Sequence, residues 1–303
     1  MAQTVADKVA FWELEPDDAA QTSVVPQLVE PCIRSSGMTD IGIFPEEKDV
    51  RVRVDKADLQ PGGKYYSIVK LFIQYQASDT WTTATGWLVR DDLLVTAAHC
   101  VLDGDNHATR IRVHAGYSAG SENTRTSFGD QRSVARIALP SAWTEAKAEK
   151  SDIAFLQLDM PYQDVTPIKY STTDKEAQQL TIIGYPTDLG AKTGTPGGEM
   201  YYMGSRREVD LEPNKWNMMV YRGDTQGGLS GAPIMRDDDF VAIGVHVRGG
   251  SFNYGVVIGG QDGVNFDVYE KALGILKQGS VSHDVLKVAT DTNREWLNYM
   301  HIF

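Results

Sequence analysis

The sequence predicts an all-β fold with one helix near the C-terminus. The 303-residue chain contains 28 glycines, which suits frequent turns, and short runs rich in Val, Ile and Tyr recur along it. Helical periodicity is scarce before residue 266. Many short strands followed by a terminal helix predict a β-barrel or β-sandwich domain of roughly 200–240 residues.

The composition indicates a soluble globular protein. Hydrophobic residues make up 42% of the chain and charged residues 23%. The net charge of −12 argues against a surface that binds phosphate groups, so we expect no nucleic-acid partner. No apolar run approaches the roughly 18 residues of a membrane helix, so we expect no membrane partner either, and we expect a monomer.

The first part of the chain predicts an N-terminal extension over residues 1–38, because it is acidic, weakly patterned and interrupted by three prolines. It lacks the basic start and apolar stretch of a secretory signal, so no export signal is visible. From Asp40 the pattern changes, and valine alternates with arginine between Val50 and Val54. We therefore place the main domain at residues 39–278.

Short strands follow the turn signal Pro61-Gly62-Gly63 at regular intervals. Each is an apolar or alternating run bounded by turn residues. The candidate strands are Ser67–Tyr75, Thr85–Arg90, Leu93–Thr96, Ile111–Gly116, Ile153–Leu158, Leu180–Tyr185, Glu199–Gly204, Trp216–Tyr221, Val241–Val247 and Tyr254–Ile258.

The segment Phe266–Lys277 predicts an amphipathic helix. Its apolar residues recur at helical spacing, at Phe266, Tyr269, Leu273 and Leu276. A second helix is predicted over His283–Tyr299, so residues 279–303 form a helical tail in this interpretation.

The chain has two cysteines, Cys32 and Cys100. Two are too few for a disulfide framework or a cysteine-based zinc site, so we expect no metal ion. They can pair with each other, but their separation in the sequence does not decide whether they do.

The stretch GDTQGGLSGAPI, residues 223–234, surrounds Ser230 with glycines. Glycines permit positive φ and close backbone approach, so the N–H groups of Gly228 and Ser230 can point together at a developing oxyanion. Taken alone, the stretch predicts only a glycine-rich turn between two strands.

Two upstream segments supply the other groups that an activated serine needs. His99 follows an apolar strand in LLVTAAHC, and Asp152 precedes one in KSDIAFLQL. Each alone is typical of an ordinary surface histidine or a strand cap. Because a serine hydroxyl needs a base to remove its proton, and that base needs a buried acceptor, the order His99, Asp152, Ser230 indicates a catalytic triad.

Together TAAHC, SDIAFLQL and GGLSGAP resemble the trypsin/chymotrypsin-like serine proteases over roughly residues 40–278. The resemblance implies two six-stranded antiparallel β-barrels with the catalytic cleft between them. It also implies that Ser230 is the nucleophile, His99 the general base and acid, and Asp152 the residue that orients the imidazole. Gly228 and Ser230 would form the oxyanion hole, and no cofactor would be required.

Two departures point to one branch of that family. Leu229 stands where digestive members carry an Asp that pairs with the newly cut N-terminus, and residues 83–86 lack the usual partner of Cys100. Both features are similar to the bacterial-type, secreted glutamyl endopeptidases. Leu229 differs from the Asn or Gln that is more usual in that branch, which leaves open how the oxyanion loop is held.

The residues expected in the specificity pocket give two competing indications. Asp224 occupies the place of the trypsin pocket carboxylate, which would select Lys or Arg. Thr225 and His246 resemble the pocket of glutamyl endopeptidases, where a hydroxyl and an imidazole face the substrate's Glu side chain. The ring of His246 can also be a core side chain, and Arg248 can line the pocket rim or point to solvent.

The resemblance also implies a zymogen that acts on protein or peptide substrates. Residues 1–38 would be a prosegment, and a cut near Gly37–Asp40 would free an α-amino group that helps to neutralise the bound glutamate. We therefore expect an endopeptidase cleaving after Glu and less readily after Asp. The alternatives are cleavage after Lys or Arg, and an inactive binding protein on the same fold.

Overall fold

The computed structural model of the protein describes part of the chain. The described ranges are residues 7–15, 29–32, 49–76, 78–119, 130–173, 179–189, 196–204, 218–260, 263–278 and 289–302. The proposed cut near Gly37–Asp40 lies outside them.

Strands dominate the described residues. Those up to residue 158 are β1 (Asp7–Glu13), β2 (Val29–Pro31), β3 (Val52–Arg53), β4 (Ile68–Tyr75), β5 (Trp81–Arg90), β6 (Leu93–Thr96), β7 (Leu102–Asp103), β8 (Asn106–Ala115), β9 (Asp130–Pro140) and β10 (Ala154–Leu158). Those that follow are β11 (Leu180–Gly184), β12 (Tyr201–Gly204), β13 (Met218–Tyr221), β14 (Pro233–Arg236), β15 (Ala242–Arg248), β16 (Asn253–Val257), β17 (Ala289–Thr290) and β18 (Asn298–Ile302).

The first sheet contains a closed barrel of six strands, in the order β4, β5, β6, β10, β9 and β8, with β8 pairing again with β4. Strand β4 is buried along almost its full length, which explains its nearly continuous apolar sequence. The predicted all-β class and the first six-stranded barrel are confirmed.

The second sheet has seven strands in the order β13, β16, β15, β14, β11, β12 and β3. It contains a separate cluster of buried side chains that includes Ile182, Met219, Ile234 and Ile243. Among the described residues no pairing joins its outer strands, β13 and β3. The second barrel is therefore an open sheet over the described part of the chain.

Two α-helices lie in the described ranges, α1 (Ser141–Ala146) and α2 (Phe266–Gln278), together with three 3-10 helices of three or four residues at Lys56–Leu59, Ala98–Cys100 and Glu149–Ser151. Helix α2 matches the predicted amphipathic helix, and its Tyr269 ring stacks on Phe155 of the first barrel at 4.5 Å between centroids. Neither helix in the described ranges has the length and apolar character needed to span a bilayer.

The predicted helical tail is wrong over residues 289–302. This segment is a hairpin of β17 and β18, closed by the Asp291 carboxylate, which accepts the N–H groups of Asn293 and Arg294. Strand β18 pairs with β1 on its other side. Those ladder bonds and the burial of Met300 override the helical spacing of the sequence.

The N-terminal extension contributes two strands to the first sheet. Strand β1 lies between β9 and β18, and its segment Val9–Trp12 is buried without interruption. Burial on both faces removes the alternation from which a strand is usually predicted. Strand β2 pairs in parallel with β5, in register Pro31 to Thr83.

Candidate active site

Two neighbouring strands of the first barrel bring His99 and Asp152 together. His99 lies in a short 3-10 turn directly after β6, and Asp152 immediately precedes Ile153 and β10. Because β6 and β10 pair in register Thr96 to Ala154, the two side chains meet at one edge of the sheet. Both are buried.

The Asp152 carboxylate holds His99 with both oxygens. Oδ1 accepts the backbone N–H of His99 at 2.8 Å, and Oδ2 lies 2.9 Å from the ring Nδ1. A carboxylate at Nδ1 fixes the tautomer that carries its proton there and leaves Nε2 as an acceptor.

Ser230 comes from the loop between β13 and β14 in the second sheet. Its Oγ lies 2.9 Å from Nε2 of His99, and its side chain is buried. The structure thus joins Asp152, His99 and Ser230 in one line of hydrogen-bond contacts across the two sheets.

The peptide groups around Ser230 have a fixed orientation. The carbonyl of Gly227 accepts the N–H of Thr187 at 2.8 Å, and the carbonyl of Leu229 accepts the N–H of Ala232 at 2.9 Å. In a trans peptide the carbonyl and the following N–H point in opposite directions. The N–H groups of Gly228 and Ser230 therefore point away from Thr187 and Ala232, respectively.

A positive φ and two threonines maintain this loop geometry. Gly228 has φ +93°, a value that residues with a side chain rarely adopt. The Thr85 hydroxyl donates to the Gly228 carbonyl at 2.7 Å, and Thr85 N–H donates to the Ser230 carbonyl at 3.0 Å. The Thr187 hydroxyl donates to the Gly227 carbonyl at 2.9 Å.

Leu229 is buried and takes the role of an apolar anchor. A Cβ placed on Gly184 would come within 2.9 Å of Leu229 Cδ2, so the leucine packs directly on strand β11. Packing replaces the ion pair that an acidic residue would make at this position, and the threonine hydrogen bonds hold the backbone.

The predicted pocket residues Thr225 and His246 are both buried, Thr225 in the loop that carries Ser230 and His246 in β15. Tyr221 Oη lies 2.5 Å from His246 Nδ1, and the Thr225 hydroxyl donates to Asn253 Oδ1 at 2.6 Å. Tyr221 and Asn253 are themselves paired across β13 and β16. The structure therefore links the two residues through this strand pair.

Asp224 and Arg248 have defined partners. The Asp224 carboxylate is buried and accepts the N–H of Val50 at 3.1 Å, which brings the start of the main domain to the pocket. The Arg248 guanidinium contacts Glu149 at 3.2 Å and lies 3.9 Å from the centroid of the Tyr254 ring.

A buried lysine lies behind the nucleophile loop. Lys70 of β4 donates to the carbonyl of Pro196 at 3.2 Å and to that of Gly197. Burial lowers the pKa of Lys70 to about 7. Burial also raises the pKa of nearby Tyr117 to about 12.

The N-terminal segment around β2 lies next to this site. The N–H of Cys32 donates to the carbonyl of Thr83 at 3.0 Å, and Cys32 Sγ lies 3.8 Å from the carbonyl oxygen of His99. A Cβ on Gly227 would lie 2.8 Å from Pro31 Cβ, so the segment also touches the loop that carries Ser230.

The sequence did not indicate four residues that shape the site: Thr85, Thr187, Tyr221 and Asn253. No local motif marks them, and their partners are remote in the chain; Thr85 and Gly228, for example, are 143 positions apart. Only the fold reveals these contacts, whereas His99, Asp152 and Ser230 stand in local motifs.

Comparison with known proteins gives the family. The family model described as "Trypsin-like peptidase domain" matches residues 84–245, just over half of the chain, and that range includes His99, Asp152 and Ser230. The chain belongs to this family.

Two curated bacterial proteins are similar to this member of the trypsin-like peptidase family. An extracellular metalloprotease of Bacillus subtilis is 29% identical over 217 residues, covering 68% of this chain and 63% of the relative. A glutamyl endopeptidase of Bacillus licheniformis is 25% identical over 224 residues, covering 69% of this chain and 64% of the relative. The chain thus spans under two thirds of the length of each.

Solved structures share the fold. A Glu endopeptidase determined in complex with MPD has a TM-score of 0.57 at 23% identity and covers 69% of this chain and 91% of its own. The protease Anisep from Arthrobacter nicotinovorans has a TM-score of 0.51 at 17% identity, covering 63% and 90%. The resemblance of the sequence motifs to this family and its glutamyl endopeptidase branch is confirmed.

Proposed function

We propose that the protein is a serine endopeptidase that hydrolyses peptide bonds through an acyl-enzyme. The observation that carries this proposal is the continuous contact from Asp152 through His99 to Ser230, with distances of 2.9 Å at both ring nitrogens. Membership of the trypsin-like peptidase family supports the same chemistry.

In this mechanism Nε2 of His99 takes the proton of Ser230 as Oγ attacks the scissile carbonyl carbon. The N–H groups of Gly228 and Ser230 stabilise the negative charge that develops on the carbonyl oxygen. His99 then gives its proton to the leaving amine, and the acyl-enzyme forms. Water then attacks the acyl-enzyme while His99 takes its proton. His99 returns that proton to Ser230 Oγ as the carboxylic acid product leaves.

Glutamate is the proposed side chain before the cleaved bond. Tyr221 engages Nδ1 of His246, so Nε2 is the nitrogen that would face a substrate carboxylate. Thr225 and Arg248 are the further groups proposed to bind it. The similarity to a glutamyl endopeptidase supports this choice, and an acidic side chain shorter by one methylene, Asp, would be cleaved less readily.

Cleavage after Lys or Arg is the second candidate, because Asp224 resembles the trypsin pocket carboxylate in its sequence position and its side chain is buried. Parallel kcat/KM measurements on peptides ending in Glu, Arg and Phe separate the two. A preference for Glu supports the pocket around His246. A preference for Arg that disappears in Asp224→Asn supports the second candidate.

Catalysis itself is tested by labelling with a fluorophosphonate and mapping the modified residue. We expect the label on Ser230, and we expect Ser230→Ala to lose at least about 10³-fold in kcat with an unchanged fold. A folded, processed protein that takes no label at Ser230 would instead be an inactive binding protein.

The extracellular location of one relative leads us to propose that this protein also acts outside the cell.

A further inference from the structure

The two cysteines of the chain meet beside His99. Cys32 follows β2, and Cys100 directly follows His99 in the sequence. One ligand atom from each of the three residues lies within 4.8 Å of the other two, and all three residues are buried. Two cysteines alone predict no zinc site, but the fold supplies an imidazole as a third ligand. We propose that Cys32, Cys100 and His99 bind a Zn²⁺ ion that holds the active site off.

The spacing suits a tetrahedral zinc ion. With Zn–S near 2.3 Å and Zn–N near 2.0 Å, neighbouring ligand atoms are about 3.5–3.8 Å apart. The observed upper limit of 4.8 Å therefore requires each ligand atom to move inward by less than about 1 Å. Two thiolates and an imidazole form a soft donor set that favours zinc over magnesium or calcium.

His99 is already oriented as a metal ligand. Its Nδ1 lies 2.9 Å from Asp152 Oδ2, and a carboxylate on the far ring nitrogen is the usual support of a zinc-bound histidine. Because Asp152 engages Nδ1, we assign Nε2, which keeps its lone pair in that tautomer, as the ligating nitrogen. Ser230 Oγ lies 2.9 Å from it, so the serine hydroxyl or a water molecule can occupy the fourth position.

Binding forms two Zn–S bonds and one Zn–N bond, and it releases the two thiol protons to water, so no oxidant is needed. The lone pair of Nε2 is then engaged by the metal. His99 can no longer take the proton of Ser230, which stops acylation. This consequence rests on the proposed function, whereas the metal site does not.

The ion would also fix the N-terminal segment in place. Cys32 brings with it Pro31, which touches Gly227 of the nucleophile loop. Cys100 and His99 belong to the first barrel. Zinc would therefore connect the segment to the general base, and its removal would release the lone pair of His99 Nε2 while the pairing of β2 with β5 remains.

The metal site is tested in the full chain carrying Ser230→Ala, which prevents self-cleavage of the segment. The reduced, chelator-treated protein is titrated with Co²⁺ and then with Zn²⁺. We expect one equivalent of Co²⁺ per chain, with thiolate-to-cobalt charge-transfer absorption and tetrahedral d–d bands that Zn²⁺ abolishes. The same chain with Cys32→Ser or Cys100→Ser should lose the charge-transfer intensity and bind zinc at least about 100-fold more weakly.

His301→Ala, in strand β18, is the matched histidine control and should bind as the parent does. Melting curves without metal show whether each serine variant is folded. The proposal is overturned if Co²⁺ gives no thiolate band, if binding survives Cys32→Ser, or if the two cysteines form a disulfide and the reduced protein binds no metal.

A second arm uses the chain with Ser230 intact. Zinc should lower its activity at least about tenfold and a chelator should restore it, while the activity of Cys32→Ser should not respond to zinc. A protein that binds zinc but shows no activity in either state would count against the proposed function and leave the site standing. Zinc inhibition that persists in Cys32→Ser would overturn the site.

Discussion

Thr85 belongs to the first barrel, yet its hydroxyl holds the loop that carries Ser230. It donates to the Gly228 carbonyl at 2.7 Å and accepts the N–H of Tyr185 at 3.0 Å. Thr85→Val removes both contacts and keeps the shape of the side chain. A buried acceptor left without its donor costs about 1–3 kcal/mol, and the Gly228–Leu229 peptide can then rotate out of position.

We therefore expect Thr85→Val to lower kcat about tenfold or more with little change in KM, because the Gly228–Leu229 peptide lies between the two peptides whose N–H groups, those of Gly228 and Ser230, are proposed to act on the transition state. Steady-state kinetics with a Glu peptide measure this. Thr109→Val is the control, since its hydroxyl donates to the Gln74 carbonyl in the first barrel. A rise in KM alone would contradict this role of Thr85.

Tyr221 acts on the pocket instead of the nucleophile. Its hydroxyl lies 2.5 Å from His246 Nδ1, so under the proposed function Nε2 is the ring nitrogen that would face the substrate. In Tyr221→Phe we expect kcat/KM for Glu peptides to fall roughly tenfold or more, from the loss of one buried hydrogen bond. Labelling of Ser230 by a fluorophosphonate should be unchanged.

Tyr202→Phe, in strand β12 of the same sheet, is the control for Tyr221→Phe. The ratio of kcat/KM between Glu and Phe peptides is the decisive readout. An equal fall for both peptides would show that Tyr221 supports the sheet and not the specificity of the pocket.

At the scale of elements, strand β4 carries Lys70 into the interior. Burial lowers the pKa of Lys70 to about 7, whereas an unfolded lysine titrates at about 10.4. Between these values the unfolded chain binds more protons, so the free energy of unfolding rises with pH through this window. Below pH 7 the full cost of the buried charge is present.

Lys70 should therefore add up to about 1.4 kcal/mol per pH unit to the slope of stability against pH between about 7 and 10. Lys70→Met should remove this slope, as measured by urea unfolding at several pH values in the Ser230→Ala background. Lys64→Met changes an exposed lysine and should keep the slope. Equal slopes in all three proteins would mean that Lys70 is not the source.

Elements with a local pattern were predictable, and elements defined by their neighbours were not. Helix α2 showed helical spacing at Phe266 and Leu273 and formed as expected. Strand β1 has no alternation because Val9–Trp12 is buried on both faces. Strand β18 exists because β1 pairs with it, which no reading of residues 298–302 alone can reveal.

The residues of the candidate site fall into the same two groups: those in a local motif and those defined by remote contacts. His99, Asp152 and Ser230 stand in short motifs whose residue types follow from acyl-transfer chemistry. Thr85 and Tyr221 act through contacts between strands that are remote in sequence. A single sequence can therefore identify the reactive side chains, whereas the residues that position them can be identified only when the strand topology is known.

At the scale of the whole molecule, the N-terminal extension is both part of the fold and a neighbour of the active site. Strand β1 is held on both sides by β9 and β18, and β2 lies on β5 beside the nucleophile loop. On the far side of the predicted cut, Val50 donates to Asp224 in the pocket. A cut near Gly37–Asp40 would therefore leave both fragments in place.

We expect the nicked protein to remain one particle and to be more active than the intact chain, because the resemblance to the glutamyl endopeptidase branch implies that the freed α-amino group helps to neutralise the bound glutamate. An inserted site for an unrelated processing protease allows the cut to be made at will. Size-exclusion chromatography with mass spectrometry shows whether the N-terminal fragment stays bound, and the rate of hydrolysis of a Glu peptide measures activity.

A chain that begins at Asp40 provides the comparison, since it lacks β1 and β2 altogether. It loses the burial of Trp12, a side chain whose removal from a core typically costs about 3–5 kcal/mol, and so should melt at a lower temperature than the nicked protein. Equal activity of intact and nicked chains would contradict activation by cleavage. Release of the fragment after cutting would contradict the structural role of β1, because a strand paired on both sides should not dissociate without unfolding of the sheet around it.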